Sequence, residues 1–269
     1  MTGRVDGFGP ETGRSDSDVD ISPGGTAGAA GLVLSRPWQQ VPWVVIDVEG
    51  NGQRPPDLVE AACLPIDNGV PGQPLTWLVR PPRPITGLVR GIHGIRNADV
   101  AGAPAIADVA EQIRAALAGR VVIGHHVHVD LAVLGRELGG WAPPAALDTL
   151  RLAKAIWPGQ PSYGPDQLTT SARFRAALPP STPPAGVGGR HRAGYDTTLT
   201  VALFLALAHA ITEVNRTASP APAPTSREAG DTVANTVSGG VLDAPSAARL
   251  LFLAGALPAD GRDDGDRLF

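Results

Sequence analysis

The stretch WVVIDVEGNG, Trp43 to Gly52, constrains this chain more than any other. Trp43, Val44, Val45 and Ile46 form a β-branched, apolar run, the composition of a strand pushed into a core. The run ends on two carboxylates one residue apart, Asp47 and Glu49. Side chains alternate along a strand with period two, so both acids face the same way. Two carboxylates on one face of a strand end repel each other unless protons or cations compensate them. The fold must therefore deliver this strand to an edge where the acids meet water, or a divalent cation suited to hard oxygen ligands. Taken alone, a D-x-E pair is more simply a solvated, Gly-rich turn.

The rest of the chain alternates in type. LVEAACLPI and PLTWLVR are two further strand candidates, with a Gly/Pro/Asn-containing turn between them. A Pro/Gly loop containing GIHGI leads to PAIADVAEQIRAALAG, whose apolar residues recur at helical spacing and which ends in Gly119 at a C-cap position. RVVIG reads as a short strand, VDLAVLGRELGG as a helix, and ALDTLRLAKAIW as a strand end leading into a helix. GPDQLTTSARFRAAL reads as one helix, then comes a Pro/Gly-rich loop at 179–190 and a long helix, HRAGYDTTLTVALFLALAHAI. Three strands followed by alternating helix and strand predict an α/β fold, a mixed β-sheet flanked by helices.

At 269 residues there is room for one large domain or two small ones. Residues 1–40 lack periodicity and read as a disordered tail, and residues 41–213 as the folded domain. Residues 214–269 read as a low-complexity tail with a short helix at 244–257, whose apolar side is Leu250, Leu251 and Leu253. That helix can dock on the domain or on a protein partner. The net charge of −4 comes from the two ends, because residues 41–213 balance 14 basic with 14 acidic side chains. Broad, non-specific polyanion binding is therefore not favoured. Cys63 is the only cysteine, which points to a reducing compartment, the cytoplasm by default. No run approaches the roughly 18 apolar residues that span a bilayer, so no membrane is expected.

Further acids follow in a telling order. VVIGHHVHVDLAVL places Asp130 after a second apolar strand, at the start of a helix. HRAGYDTTLT places His191 and Asp196 five residues apart at the start of the last long helix. Five positions turn a helix about 140° past a full revolution, so His191 lies on the preceding loop or first turn and Asp196 enters from the helix. D-x-E ending a first strand, then G-H-x-x-x-x-D, then H-R-A-x-x-D resembles the DEDDh exonucleases. These are the 3′→5′ proofreading-subunit-like group of the ribonuclease H-like superfamily. IHGIRNADV (Ile92–Val100), ALDTLRLAK (Ala146–Lys154) and YGPDQLT (Tyr163–Thr169) resemble further segments of that family. The resemblance covers roughly residues 43–210.

By this resemblance Asp47, Glu49, Asp130 and Asp196 would bind two Mg²⁺ or Mn²⁺ ions, and His191 would be the general base of phosphodiester hydrolysis at nucleic acid 3′ ends. The backbone of Gly50, Asn51 and Gly52 would pass close to the terminal nucleotide. Ile92 and His93 would sit over its base or sugar, Val129 would line its pocket, and Arg192 is one candidate for a phosphate contact. The chain departs from the family where GNG replaces its usual Thr residues, His126 its Asn and Val129 its aromatic. These departures motivate the alternative of a weakly active or inactive nucleic-acid-binding or scaffold module of the same fold. The cluster His125, His126 and His128 invites a zinc reading, but its side chains are expected to diverge at a strand-to-helix junction. His125 matches the family's own histidine and is expected to make structural hydrogen bonds.

Overall fold

The structure, a computed structural model, describes residues 35–178, 191–218 and 245–255. Its centre is a six-stranded mixed sheet. The strands are β1 (Trp43–Gly50), β2 (Leu58–Asp67), β3 (Val70–Pro71), β4 (Leu75–Leu78), β5 (Val121–Gly124) and β6 (Ala146–Asp148). Their order is β3-β2-β1-β5-β6, with β4 also paired to β2. β1 is antiparallel to β2 and parallel to β5, and β5 is parallel to β6. The helices are α1 (Gly87–His93), α2 (Asn97–Val100), α3 (Ile106–Leu117), α4 (His128–Glu137) and α5 (Thr149–Ile156). They continue with α6 (Pro165–Thr170), α7 (Ala172–Ala177), α8 (Ala193–Ala218) and α9 (Ala247–Leu253). The expected mixed sheet with helices on its faces is the architecture the chain forms.

The period of two in β1 divides the core. Trp43 and Val45 join Leu64 and Ile66 on one face and pack against Phe204 and its neighbours on α8. Val44 and Ile46 join Ala61 and Cys63 on the other and pack against α3 and α4. Burying each large apolar side chain contributes about 1.5–3 kcal/mol, so β1 is anchored from both sides. By length and composition Ala193–Val214 of α8 is apolar enough to cross a membrane, contrary to the sequence expectation. In the fold that apolar surface packs on β1, β2, α5, α6 and α7, and the helix is a core element.

Four further details of the fold go beyond the sequence reading or decide between its alternatives. GPDQLTTSARFRAAL breaks at Ser171, which adopts extended backbone and accepts a hydrogen bond from the Phe174 N–H at 3.1 Å, capping a second helix. The GIHGI loop is two short helices, α1 and α2, the first ended by Gly94 at a φ of 76°. Residues 35–40, assigned to the N-terminal tail, are part of the fold. Trp38 is buried edge-on against Phe204 at 5.3 Å, and its backbone N–H donates to the Pro245 carbonyl at 3.0 Å. Residues 245–255 are folded as well: Ala247, Leu250 and Leu251 of α9 sit in the same core cluster, so the helix docks on the domain. The disorder expected at residues 1–34, 219–244 and 256–269, and the loop at 179–190, lie outside the described residues.

Candidate active site

β1 outruns its parallel neighbour, and that mismatch makes the site. Pairing of β1 with β5 stops at Val45 opposite Ile123, while β1 continues to Gly50 alongside β2. Past the end of β5, Asp130 in the first turn of α4 supplies a partner: its Oδ1 accepts a hydrogen bond from the Val48 N–H at 3.0 Å. Asp196 enters from the first turn of α8. Asp47, Glu49 and Asp196 each bring one oxygen to a common point, all within 4.8 Å of one another. Asp130 stands beside this set rather than in it, yet after burial its charge is the largest influence raising the Asp47 pKa. His191 lies just before α8, exposed, with a left-handed φ of 56°. It is close enough that its charge lowers the Asp196 pKa against burial, which raises it.

The electrostatics match a cation site. Burial first, then the neighbouring acids, push Glu49 up to about 8. Burial pushes Asp130 to about 8 and Asp196 to about 6, and Asp47 is also raised well above the usual carboxylate range. Glu49, Asp130 and Asp47 therefore tend to hold protons near neutrality, and Asp196 is shifted in the same direction. Convergent oxygens that prefer to be neutralised are the donor set that fits hard divalent ions.

The sequence profile of the exonuclease family RNase_T matches residues 44–204, the span of the sheet and most of α8. This chain belongs to that exonuclease family. It is 31% identical over 192 residues to a DNA polymerase III subunit epsilon-like protein of Rhodobacter capsulatus, covering 68% of this chain and 26% of that one. It is 32% identical over 161 residues to exodeoxyribonuclease 10 of Escherichia coli, covering 60% of this chain and 66% of that one. The chain thus spans only a quarter to two thirds of these relatives. Exonuclease I of Escherichia coli, solved with a dT13 oligonucleotide, shares the fold at a TM-score of 0.50 and 17% identity, covering 62% of this chain and 40% of that one. Membership places the chain among the DEDDh-type exonucleases of the ribonuclease H-like superfamily, which work with divalent metal ions.

This member of the family has one site residue that the sequence reading missed. Glu60 on β2 lies opposite Glu49 on β1 and is only 4% exposed. Two like charges directly opposite on neighbouring strands would repel. Glu60 is held instead by α8: its Oε2 accepts from the Arg192 Nε at 2.9 Å and the Ala193 N–H at 3.0 Å, and its Oε1 pairs with the Arg192 Nη2. One carboxylate thereby caps the helix start and fixes the segment that carries His191 and Asp196 to the strand that pairs with β1. Arg192, a candidate phosphate contact by sequence, is committed to this bond.

The expected substrate residues divide by exposure. Ile92 and Val129 are exposed, at 50% and 47%, and offer apolar surface. His93 does not: it is 4% exposed, its Nδ1 accepts from the Ile95 N–H at 3.0 Å, and its Nε2 faces the Gly50 carbonyl at 3.3 Å. With Nδ1 accepting, the ring proton sits on Nε2 and donates to Gly50, and burial lowers the pKa so that the ring stays neutral. His93 therefore latches α1 to the end of β1. Asn51 is fully buried, and its Oδ1 accepts from the Gln53 and Asp57 N–H groups, shaping the loop from inside. Gly52 has a φ of 77°, and a Cβ there would strike Thr86 and Val89 on the approach to and within α1.

Proposed function

We propose that this chain is a divalent-metal-dependent 3′→5′ exonuclease that releases nucleoside 5′-monophosphates from the 3′ ends of DNA or short RNA. The convergence of Asp47, Glu49 and Asp196, with Asp130 and His191 beside them, supports the reading most strongly. In this reading the four acids hold two Mg²⁺ or Mn²⁺ ions, which supply an acidified water and charge neutralisation at the departing oxygen. His191 accepts the proton of the attacking water as its oxygen bonds to phosphorus. The bond from phosphorus to the 3′ oxygen then breaks, and its electron pair leaves with that oxygen. Glu60 and Arg192 hold His191 and Asp196 in register with β1. Ile92 and Val129 meet the terminal nucleotide, and the backbone of Gly50, Asn51 and Gly52 passes beside it.

The name of the exodeoxyribonuclease relative favours DNA among the substrates. Cys63, buried and free, suits a reducing cytoplasm. A protein partner reached through the C-terminal tail would find Phe252 exposed, since the other large apolar residues of α9 pack on the domain.

The test is hydrolysis of 5′-labelled 3′-recessed DNA, single-stranded DNA and short RNA with Mg²⁺ or Mn²⁺, and with EDTA as control. A ladder that shortens from the 3′ end is expected. Asp47→Ala should abolish it, and His191→Ala should lower kcat by about 10²–10⁴-fold. A folded protein that binds these substrates but shortens none of them would be the binding module instead.

A further inference from the structure

The histidine cluster that the sequence reading set aside is brought together by the fold. His125 turns inward as expected, its Nδ1 within 3.0 Å of the Thr149 hydroxyl. His126 and His128 do not diverge: their rings lie 4.1 Å apart between centroids. The cause is backbone. His126 has a φ of 66°, a left-handed conformation rare outside glycine, and it swings the side chain back over the start of α4. Such strain persists where the surroundings hold it. Here Asp148 does so, accepting the His126 N–H at 2.9 Å and the Leu150 N–H at 2.9 Å, both on Oδ1.

Among the described residues Asp148 Oδ2 takes no hydrogen bond, and Asp148 is buried at the end of β6. One nitrogen of His126, one of His128 and an oxygen of Asp148 lie within 4.8 Å of one another. The geometry points to a second metal site, a three-ligand His-His-Asp centre for a borderline transition ion, zinc first, with a fourth position open to water or a ligand. Two nitrogens and one carboxylate are the donor set of such ions, whereas Mg²⁺ and Mn²⁺ prefer all-oxygen sites. Charge points the same way. The set carries one negative charge, and His126 also feels the cations Lys154 and Arg151, so a hard ion held by charge alone gains little. An ion that forms strong bonds to imidazole nitrogen gains much more. A bound ion would tie the β5–α4 turn and the first turn of α4, which presents Val129 and Asp130, to the start of α5.

The experiment is cobalt(II) titration of the full-length, untagged chain, followed by visible absorption, with zinc added in competition. Three proteins are compared: the parent chain, Asp47→Asn/Glu49→Gln, and His126→Ala/His128→Ala. His126 is exposed and His128 half-buried, so the last variant removes ligands without emptying the core. One cobalt with visible absorption, displaced by zinc, is expected in the first two proteins. At least a tenfold weaker affinity is expected in the third. The inference is overturned if the parent chain shows no such absorption. It is equally overturned if the histidine variant, folded by circular dichroism, binds as tightly as the parent, or if only the carboxylate variant loses the ion. The last outcome would place the ion in the oxygen site.

Discussion

At the scale of single residues, the carboxylate that matters most beyond the expected four is Glu60. Its Arg192 bond is a two-pronged guanidinium–carboxylate pair, and its third contact caps α8. Glu60→Gln keeps a hydrogen-bond acceptor for Ala193 but loses the charge that matches Arg192. Arg192→Lys keeps the charge and loses the fork. Both should slow turnover by about tenfold to a hundredfold with KM little changed, because a small misplacement of reacting groups costs rate before binding. Single-turnover kinetics with a saturating oligonucleotide checks this. A kcat equal to the parent's in both variants would show that Glu60 does no positioning. The sequence offered one hint, a glutamate in the middle of the apolar run LVEAAC. Its partner lies 132 residues away, and no local pattern reports that distance. Asp47 and Glu49 were legible because a two-residue period is local. The meeting of His126 with His128 was not, because it depends on a left-handed φ that only glycine would have signalled.

At the scale of elements, periodicity found the strands and the long helices, and capping decided where reading failed. Ser171 turned one expected helix into α6 and α7 through a hydrogen bond that competes with the helix ladder. The short C-terminal helix was visible from its leucines, but where it docked was not. The structure seats it with Trp38 and Phe204 in one cluster, its N-terminus tied to the chain before β1 by the Ala247 N–H to the Arg36 carbonyl at 3.0 Å. α9 is therefore part of the domain. Leu250→Ala should cost about 2–5 kcal/mol in urea unfolding, the range for emptying a buried leucine site. Ending the chain at residue 244 should lower the unfolding midpoint further, since Trp38 also loses the Pro245 carbonyl that its N–H reaches. Unchanged midpoints in both would return the helix to the role of a free tail that binds a partner.

At the scale of the whole molecule, the site sets how stability responds to pH. Glu49 is pushed up to about 8, Asp130 to about 8 and Asp196 to about 6, and Asp47 is raised as well. Each group ionises at an ordinary low pH once the chain unfolds. Between about pH 4 and pH 8 these four acids consequently bind more protons in the folded state than in the unfolded one, and above about pH 6.5, where the lowered His93, His125 and His126 are neutral in both states, they govern the balance. Stability then falls as pH rises, the reverse of a fold held together by salt-bridged acids. Divalent ions substitute for those protons and bind the folded state alone, so they restore the loss by mass action. In EDTA the midpoint of thermal unfolding should fall between pH 5.5 and pH 8.5. A domain of this size shifts by about 2–4 °C per kcal/mol, so a drop of several degrees is readable. Millimolar Mg²⁺ or Mn²⁺ should flatten the profile at pH 8.5 and do little at pH 5.5, where protons already occupy the oxygens. Asp47→Asn/Glu49→Gln should be less sensitive to pH than the parent without metal and gain little when metal is added. A parent profile that is flat in EDTA, or that rises toward pH 8.5, would mean the acids are neutralised by something within the chain rather than by ions from solution.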